Sequence, residues 1–280
     1  MLTNQIKKIN KCSKCDRRQP VTQVNSKFIN IKNLKTHFLQ FGSSKKKLIF
    51  LHGWGVSAES FLDIAKKLKT EKNIEIILID LPGFGLSDSP PPTGWNIHDY
   101  ENWLEIFLEK LNIKKANFFG HSFGCRILVQ FLLKNKNIAQ KVILAGAAGI
   151  KWPLSLRQKI SIIISKNLYF IKNFIPKKIQ KFIMCKIFGA RDWGLVTKNL
   201  KPTLKKVLEE PDFQEKLPNI KNEILLIWGA NDQITPLKSG KVFAKKLSNA
   251  ELKIIPEGRH GIHKTHADEI TNMIKNFLKK

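Results

Sequence analysis

Short apolar runs alternate along this chain with stretches of helical periodicity, and that alternation constrains the fold more than any other feature. Residues 47–51, 74–79, 116–119, 141–145, 224–228 and 252–255 are runs of four to six residues with few polar interruptions. A half-exposed strand alternates apolar with polar positions. An uninterrupted run reads as a strand covered on both faces, as in a parallel sheet. Residues 27–31 and 35–41 add two short strands joined by a turn near Asn33. Between the runs, Phe61, Ile64, Ala65 and Leu68 share one helical face. So do Tyr100, Leu104, Phe107, Leu108 and Leu111, and near the end Ile270, Met273, Ile274, Phe277 and Leu278. Each set follows the spacing of three and four that lines one side of a helix. Strand alternating with helix predicts an α/β domain with a mostly parallel, doubly wound sheet and right-handed crossovers.

The alternation fails twice. Residues 1–26 are polar, basic and aperiodic, and read as an extension. Residues 150–218 hold no convincing strand and read as several helices. An insertion that long exceeds any ordinary connection, so the expected organisation is a core of residues 27–149 and 219–280 with residues 150–218 as a helical cap. The chain of 280 residues is long enough to bury a core without disulfides or metal. Cys12 and Cys15 have the spacing of half a zinc site, but no second pair follows, so they read as free thiols. No run of signal-peptide or membrane-span length is present, and the expected location is cytoplasmic.

The formal charge is +27, from 49 basic and 22 acidic residues. Only six of the bases are Arg, the residue favoured for base reading and bidentate phosphate clamps. The chain is also rich in Ile, so the lysines read as compositional bias, and no specific nucleic acid is expected. Residues 151–188 hold nine basic residues and no acid. A basic amphipathic cap of this kind could touch an anionic membrane surface weakly; docking on the catalytic domain is the favoured reading.

Chemistry is expected at the carboxyl ends of the strands, where α/β domains place their sites. Gly120-His121-Ser122-Phe123-Gly124 follows one apolar run and precedes a helical stretch. A sharp strand-to-helix turn of this kind holds a serine hydroxyl clear of the sheet at a helix amino terminus. Partial positive charge there favours a developing oxyanion. His52-Gly53-Trp54-Gly55 follows residues 47–51 and is the candidate second donor loop, so the backbone N–H groups of Trp54 and Phe123 form the expected oxyanion hole. A serine needs a base and the base needs an orienting acid. Asp232 follows residues 224–228, and His260 follows residues 252–255. His52, His121, His37, His98, His263 and His266 compete as base, and Asn231, Asp80 and Asp88 as acid. Position just past a strand end selects His260, and Asp232 is the favoured acid.

Taken together, these strings resemble the α/β-hydrolase superfamily, in its serine-nucleophile branch with a helical cap. The resemblance runs from Phe28 to Leu278 and includes Asp80-Leu81-Pro82-Gly83-Phe84-Gly85-Leu86-Ser87-Asp88 and Gly258-Arg259-His260. It implies a Ser122–His260–Asp232 triad with no cofactor and no metal. Three departures bear on chemistry. Cys125 stands where relatives often carry a second small residue. Relatives that hydrolyse halides or epoxides carry a carboxylate where this chain has Ser122. Relatives that cleave carbon–carbon bonds usually have Asn before the serine and an aromatic after the histidine, where this chain has His121 and Gly261. The expected function is therefore hydrolysis of a small or medium carboxylic ester or related acyl bond of an apolar small molecule. The alternatives are a carbon–carbon bond hydrolase on the same triad and a basic, non-catalytic binding protein.

Overall fold

The computed structural model describes residues 24–69, 73–135, 137–152 and 200–279. Its centre is an eight-stranded sheet made of β1 (Asn25–Ile31), β2 (Leu34–Phe41), β3 (Lys47–Leu51), β4 (Glu75–Ile79), β5 (Ala116–His121), β6 (Ala139–Ala145), β7 (Glu223–Gly229) and β8 (Ala250–Ile255). The spatial order is β1-β2-β4-β3-β5-β6-β7-β8. From β4 to β8 all neighbours pair in parallel, whereas β2 is antiparallel to both β1 and β4. The β1–β2 turn holds Lys32 and Asn33 at φ 48° and 64°. Two positive φ values give the turn whose twist matches that of a two-residue hairpin.

The apolar runs are explained by two cores. In β3, Ile49 and Leu51 face one core while Leu48 and Phe50 face the other, and all four are fully buried. The first core is completed by α2 (Ile97–Lys110) and α3 (Phe123–Lys134), and by Phe243 of α5 (Leu237–Lys246). The second is completed by α1 (Leu62–Leu68) and α7 (Ala267–Lys279), through Ile64, Leu68, Ile270, Ile274 and Phe277. Covering both faces removes any need for polar alternation in the strands between. Helix α2 starts at a reciprocal cap: Asn96 accepts from the Asp99 N–H, and the Asp99 carboxylate accepts from the Asn96 N–H.

The expected cap falls largely outside the described residues, and so do its basic helices, Cys12 and Cys15. Its returning end is described. There α4 (Lys201–Glu209) follows Leu200, which packs on Gly83, and Thr203 accepts a hydrogen bond from the Trp95 N–H. Among the described residues no helix is long and apolar enough to cross a membrane.

Candidate active site

The site begins with a strained residue. β5 runs two residues further than the sequence pattern predicts, to His121, and α3 begins at Phe123. Ser122 is the single residue between them and sits at φ 51°, ψ −107°. An L-residue there is strained, and such strain persists only where the surroundings impose it. Here they do. The Ser122 N–H donates to Ala145 O on β6 at 3.0 Å, and Ser122 O accepts from Cys125 N at 3.1 Å. The flanking glycines have a steric cause: a Cβ on Gly124 would lie 2.2 Å from Leu51 O, and one on Gly120 would lie 2.9 Å from Cys125 N.

From this position the Ser122 hydroxyl donates to His260 Nε2 at 2.9 Å, and the His260 Nδ1–H donates to Asp232 Oδ2 at 2.8 Å. His260 comes from the loop after β8 and Asp232 from the loop after β7. The structure therefore brings together the three side chains that the sequence places at separate strand ends. Asp232 is buried, and burial alone would raise its carboxyl. Hydrogen bonds from His260 and Thr235 help to outweigh that and hold it below the usual carboxylate value. The other carboxylate oxygen accepts from the N–H groups of Ile234 and Thr235, at 2.8 and 2.9 Å. An acid held this way fixes the tautomer and the orientation of the imidazole.

Thr235 is the site residue that sequence reasoning misses. Its Oγ1 lies 2.9 Å from Asp232 Oδ2, 3.2 Å from His260 Nδ1 and 3.1 Å from Gly146 O. The signal was present: a hydroxyl residue three positions after an Asp at a strand end is the pattern of a local side-chain-to-backbone turn.

The rival candidates have other duties. His52 accepts from the Leu81 N–H and donates to Gly53 O, which fixes its tautomer and holds the loop. Burial pushes it down to about 4. Asp88 accepts from the Lys35 N–H, and Asn231 reaches Pro256 O. His263 lies in the short helix α6 (Ile262–Thr265) rather than in the last long helix, and its ring lies buried 4.1 Å from that of His121. His266 is half-buried, its ring 2.8 Å from the Thr265 hydroxyl.

A second Ser–His–Asp chain shows what geometry alone does not supply. Ser26 Oγ lies 2.9 Å from His37 Nε2, and His37 Nδ1 lies 2.7 Å from Asp80 Oδ2. The distances match those at Ser122, but Ser26 lies within an ordinary edge strand, not at a positive-φ turn or a helix amino terminus. Asp80 instead acts as a staple, accepting also from the N–H groups of Ala58 and Leu86. It thereby fixes the segments that follow β3 and β4.

Trp54 and Phe123, expected to supply oxyanion donors, are neighbours whose rings meet edge-to-face at 5.2 Å. Gly53 lies against the nucleophile candidate: a Cβ there would sit 3.3 Å from Ser122 Cβ.

Comparison with known proteins places this geometry. A family model described as the alpha/beta hydrolase fold matches residues 46–183. This chain has the α/β-hydrolase fold. It is 27% identical, over 93% of its length and 98% of the relative's, to an Escherichia coli (strain K12) protein named 2-hydroxy-6-oxononadienedioate/2-hydroxy-6-oxononatrienedioate hydrolase. Two solved structures share the fold. A membrane phospholipase A described as a bacterial virulence factor superposes with a TM-score of 0.73 at 18% identity, over 91% of this chain and 86% of that one. An esterase from Exiguobacterium antarcticum gives 0.71 at 21% identity, over 90% and 99%. These likenesses support a hydrolase and leave open which bond is broken.

Proposed function

We propose that the chain hydrolyses an acyl bond through a covalent intermediate on Ser122, with His260 as base and then acid, and Asp232 as the partner that orients it. The unbroken Ser122–His260–Asp232 chain, anchored on a serine at φ 51°, carries this reading. Ser122 Oγ adds to the substrate carbonyl carbon as its proton passes to His260 Nε2. The carbonyl oxygen becomes an oxyanion, which the N–H groups of Trp54 and Phe123 receive in this scheme. Collapse breaks the bond to the leaving group, which takes the proton from His260. Water then adds to the acyl-enzyme by the same route and frees the acid and Ser122.

For the bond itself we favour a carbon–carbon bond next to a ketone. The support is whole-chain likeness to hydrolases named for 6-oxo dioic acids. A substrate with a ketone and no ester can be hydrolysed at that carbonyl only by breaking a bond to carbon, so His260 would deliver its proton to a carbon leaving group. The net charge of +27 would also speed encounter with a dianion. A carboxylic ester is the second reading. It is favoured by His121 and Gly261, which replace the Asn and the aromatic usual in the carbon–carbon branch.

The test is a panel of p-nitrophenyl esters of rising chain length run beside a 2-hydroxy-6-oxo dienoic acid, comparing kcat/KM. Preference for the oxo acid supports the first reading, and preference for an ester supports the second. Failure of a fluorophosphonate to label Ser122 refutes both and leaves a basic binding protein on a hydrolase scaffold.

A further inference from the structure

We infer that His121 is a positioning residue, locking the loop that carries His260 onto the turn that carries Ser122. The inference rests on the reading of Ser122 and His260 as nucleophile and base. His121 is the residue immediately before Ser122, and its side chain is buried, with 4% of its surface exposed. Its Nε2 lies 2.9 Å from the backbone oxygen of His260. A carbonyl oxygen can only accept, so Nε2 carries the hydrogen and Nδ1 is left bare. The two segments are thus joined twice, at the ring of His260 by Ser122 and at its backbone by His121.

That second join answers a specific weakness. His260 sits in the connection between β8 and α6, and a loop is the most mobile kind of support for a base. A shift of about 1 Å is enough to cost roughly 10²-fold in rate. The bond from His121 reaches across 139 residues of sequence and passes through one residue of backbone to the nucleophile. The same ring also abuts the loop after β3, since a Cβ on Gly53 would lie 2.7 Å from His121 Nδ1. One side chain therefore touches the nucleophile turn, the base loop and the loop of the expected oxyanion donor.

The surroundings keep this ring neutral, as the role requires. Burial holds His121 well below the ordinary histidine value, and the facing rings of His263, His260 and His52 act in the same direction. A neutral ring can stand with its centroid 4.9 Å from that of His260 without opposing the imidazolium that catalysis forms there.

The chemistry of Gln and Asn separates the join from mere bulk. A Gln amide nitrogen is as many bonds from Cα as Nε2 of histidine, whereas an Asn amide nitrogen is only as far as Nδ1. The full-length His121→Gln, His121→Asn and His121→Leu variants are compared with wild type by the rate at which a fluorophosphonate phosphonylates Ser122, followed by intact mass and located by peptide mapping. Expected is a Gln variant within about 5-fold of wild type, and Asn and Leu variants slower by about 10²-fold. All should reach complete labelling with unchanged circular dichroism. Complete but slow labelling marks misplacement of the base, whereas unfolding lowers the final extent. Wild-type rates in the Asn and Leu variants overturn the inference, and so does a Gln variant as slow as Leu. Loss of structure in all three replaces it with a purely structural role. If the wild-type label lies elsewhere than Ser122, the proposed function fails first, and separately.

Discussion

Buried histidines make acid stability the sharpest quantitative consequence of this structure. Burial pushes His263 down to about 3 and His52 down to about 4, and drives His121 well down in the same direction. Their unfolded value is 6.5. Above that, neither folded nor unfolded chain binds a proton and stability is complete. As the pH falls through 6.5 the unfolded chain takes up protons that the fold refuses, so stability is lost down to the folded values. At pH 5 each group costs about 2 kcal/mol relative to pH 8, so His52 and His263 together cost about 4 kcal/mol. Asp80 and Asp232, held below the usual value, add their own loss only at lower pH. The perturbation that isolates the effect is His263→Leu. Both ring nitrogens of His263 are buried and have no hydrogen-bond partner among the described residues, so an apolar replacement should leave stability at pH 8 equal or improved. Urea unfolding followed by tryptophan fluorescence between pH 8 and pH 5 measures both proteins. The variant should lose about 2 kcal/mol less than wild type over that range. Parallel profiles for the two proteins, or a wild type whose stability does not change, would refute the reasoning.

Ser122→Ala should abolish turnover down to roughly 10³–10⁴ over water without unfolding, since a small hydroxyl leaves no large cavity; turnover at the wild-type rate on every substrate sinks the nucleophile assignment. Asp232→Asn should lower kcat by about 10⁴, the cost in a comparable triad of presenting the wrong tautomer. Thr235→Val removes one donor from the Asp232 cluster and should cost about 1 kcal/mol, read as a several-fold fall in kcat/KM. Gly124→Ala should destabilise by roughly 3 kcal/mol or fail to fold, because its Cβ would strike backbone rather than a movable side chain; a melting temperature within a few degrees of wild type contradicts that.

Local features of the chain determined most of the architecture. Strands buried on both faces must be apolar at nearly every position, and helices docked on one face must repeat at three and four, so β3 through β7 and α1, α2 and α7 were legible from spacing, whereas β8 is an edge strand with Lys253 and Ile254 exposed. The elbow was legible too, because its glycines answer clashes within one turn and with the neighbouring strand. The strand-end positions of Ser122, Asp232 and His260 marked the candidate site because the carboxyl ends of parallel strands lie along one edge of the sheet. Only the tertiary structure decided the rest. Two hydrogen-bonded Ser–His–Asp chains form here at nearly the same distances. The strained backbone at Ser122, set by pairing with β6, separates the proposed nucleophile from a staple. Thr235 meets His260 and Gly146, and His121 meets His260, only through folding, and the buried pair His121 and His263 joins residues 142 positions apart. Spacing along a chain records what each segment must bury. It does not record which polar atoms meet across loops, because those contacts are set by how the loops pack once the sheet has brought them together.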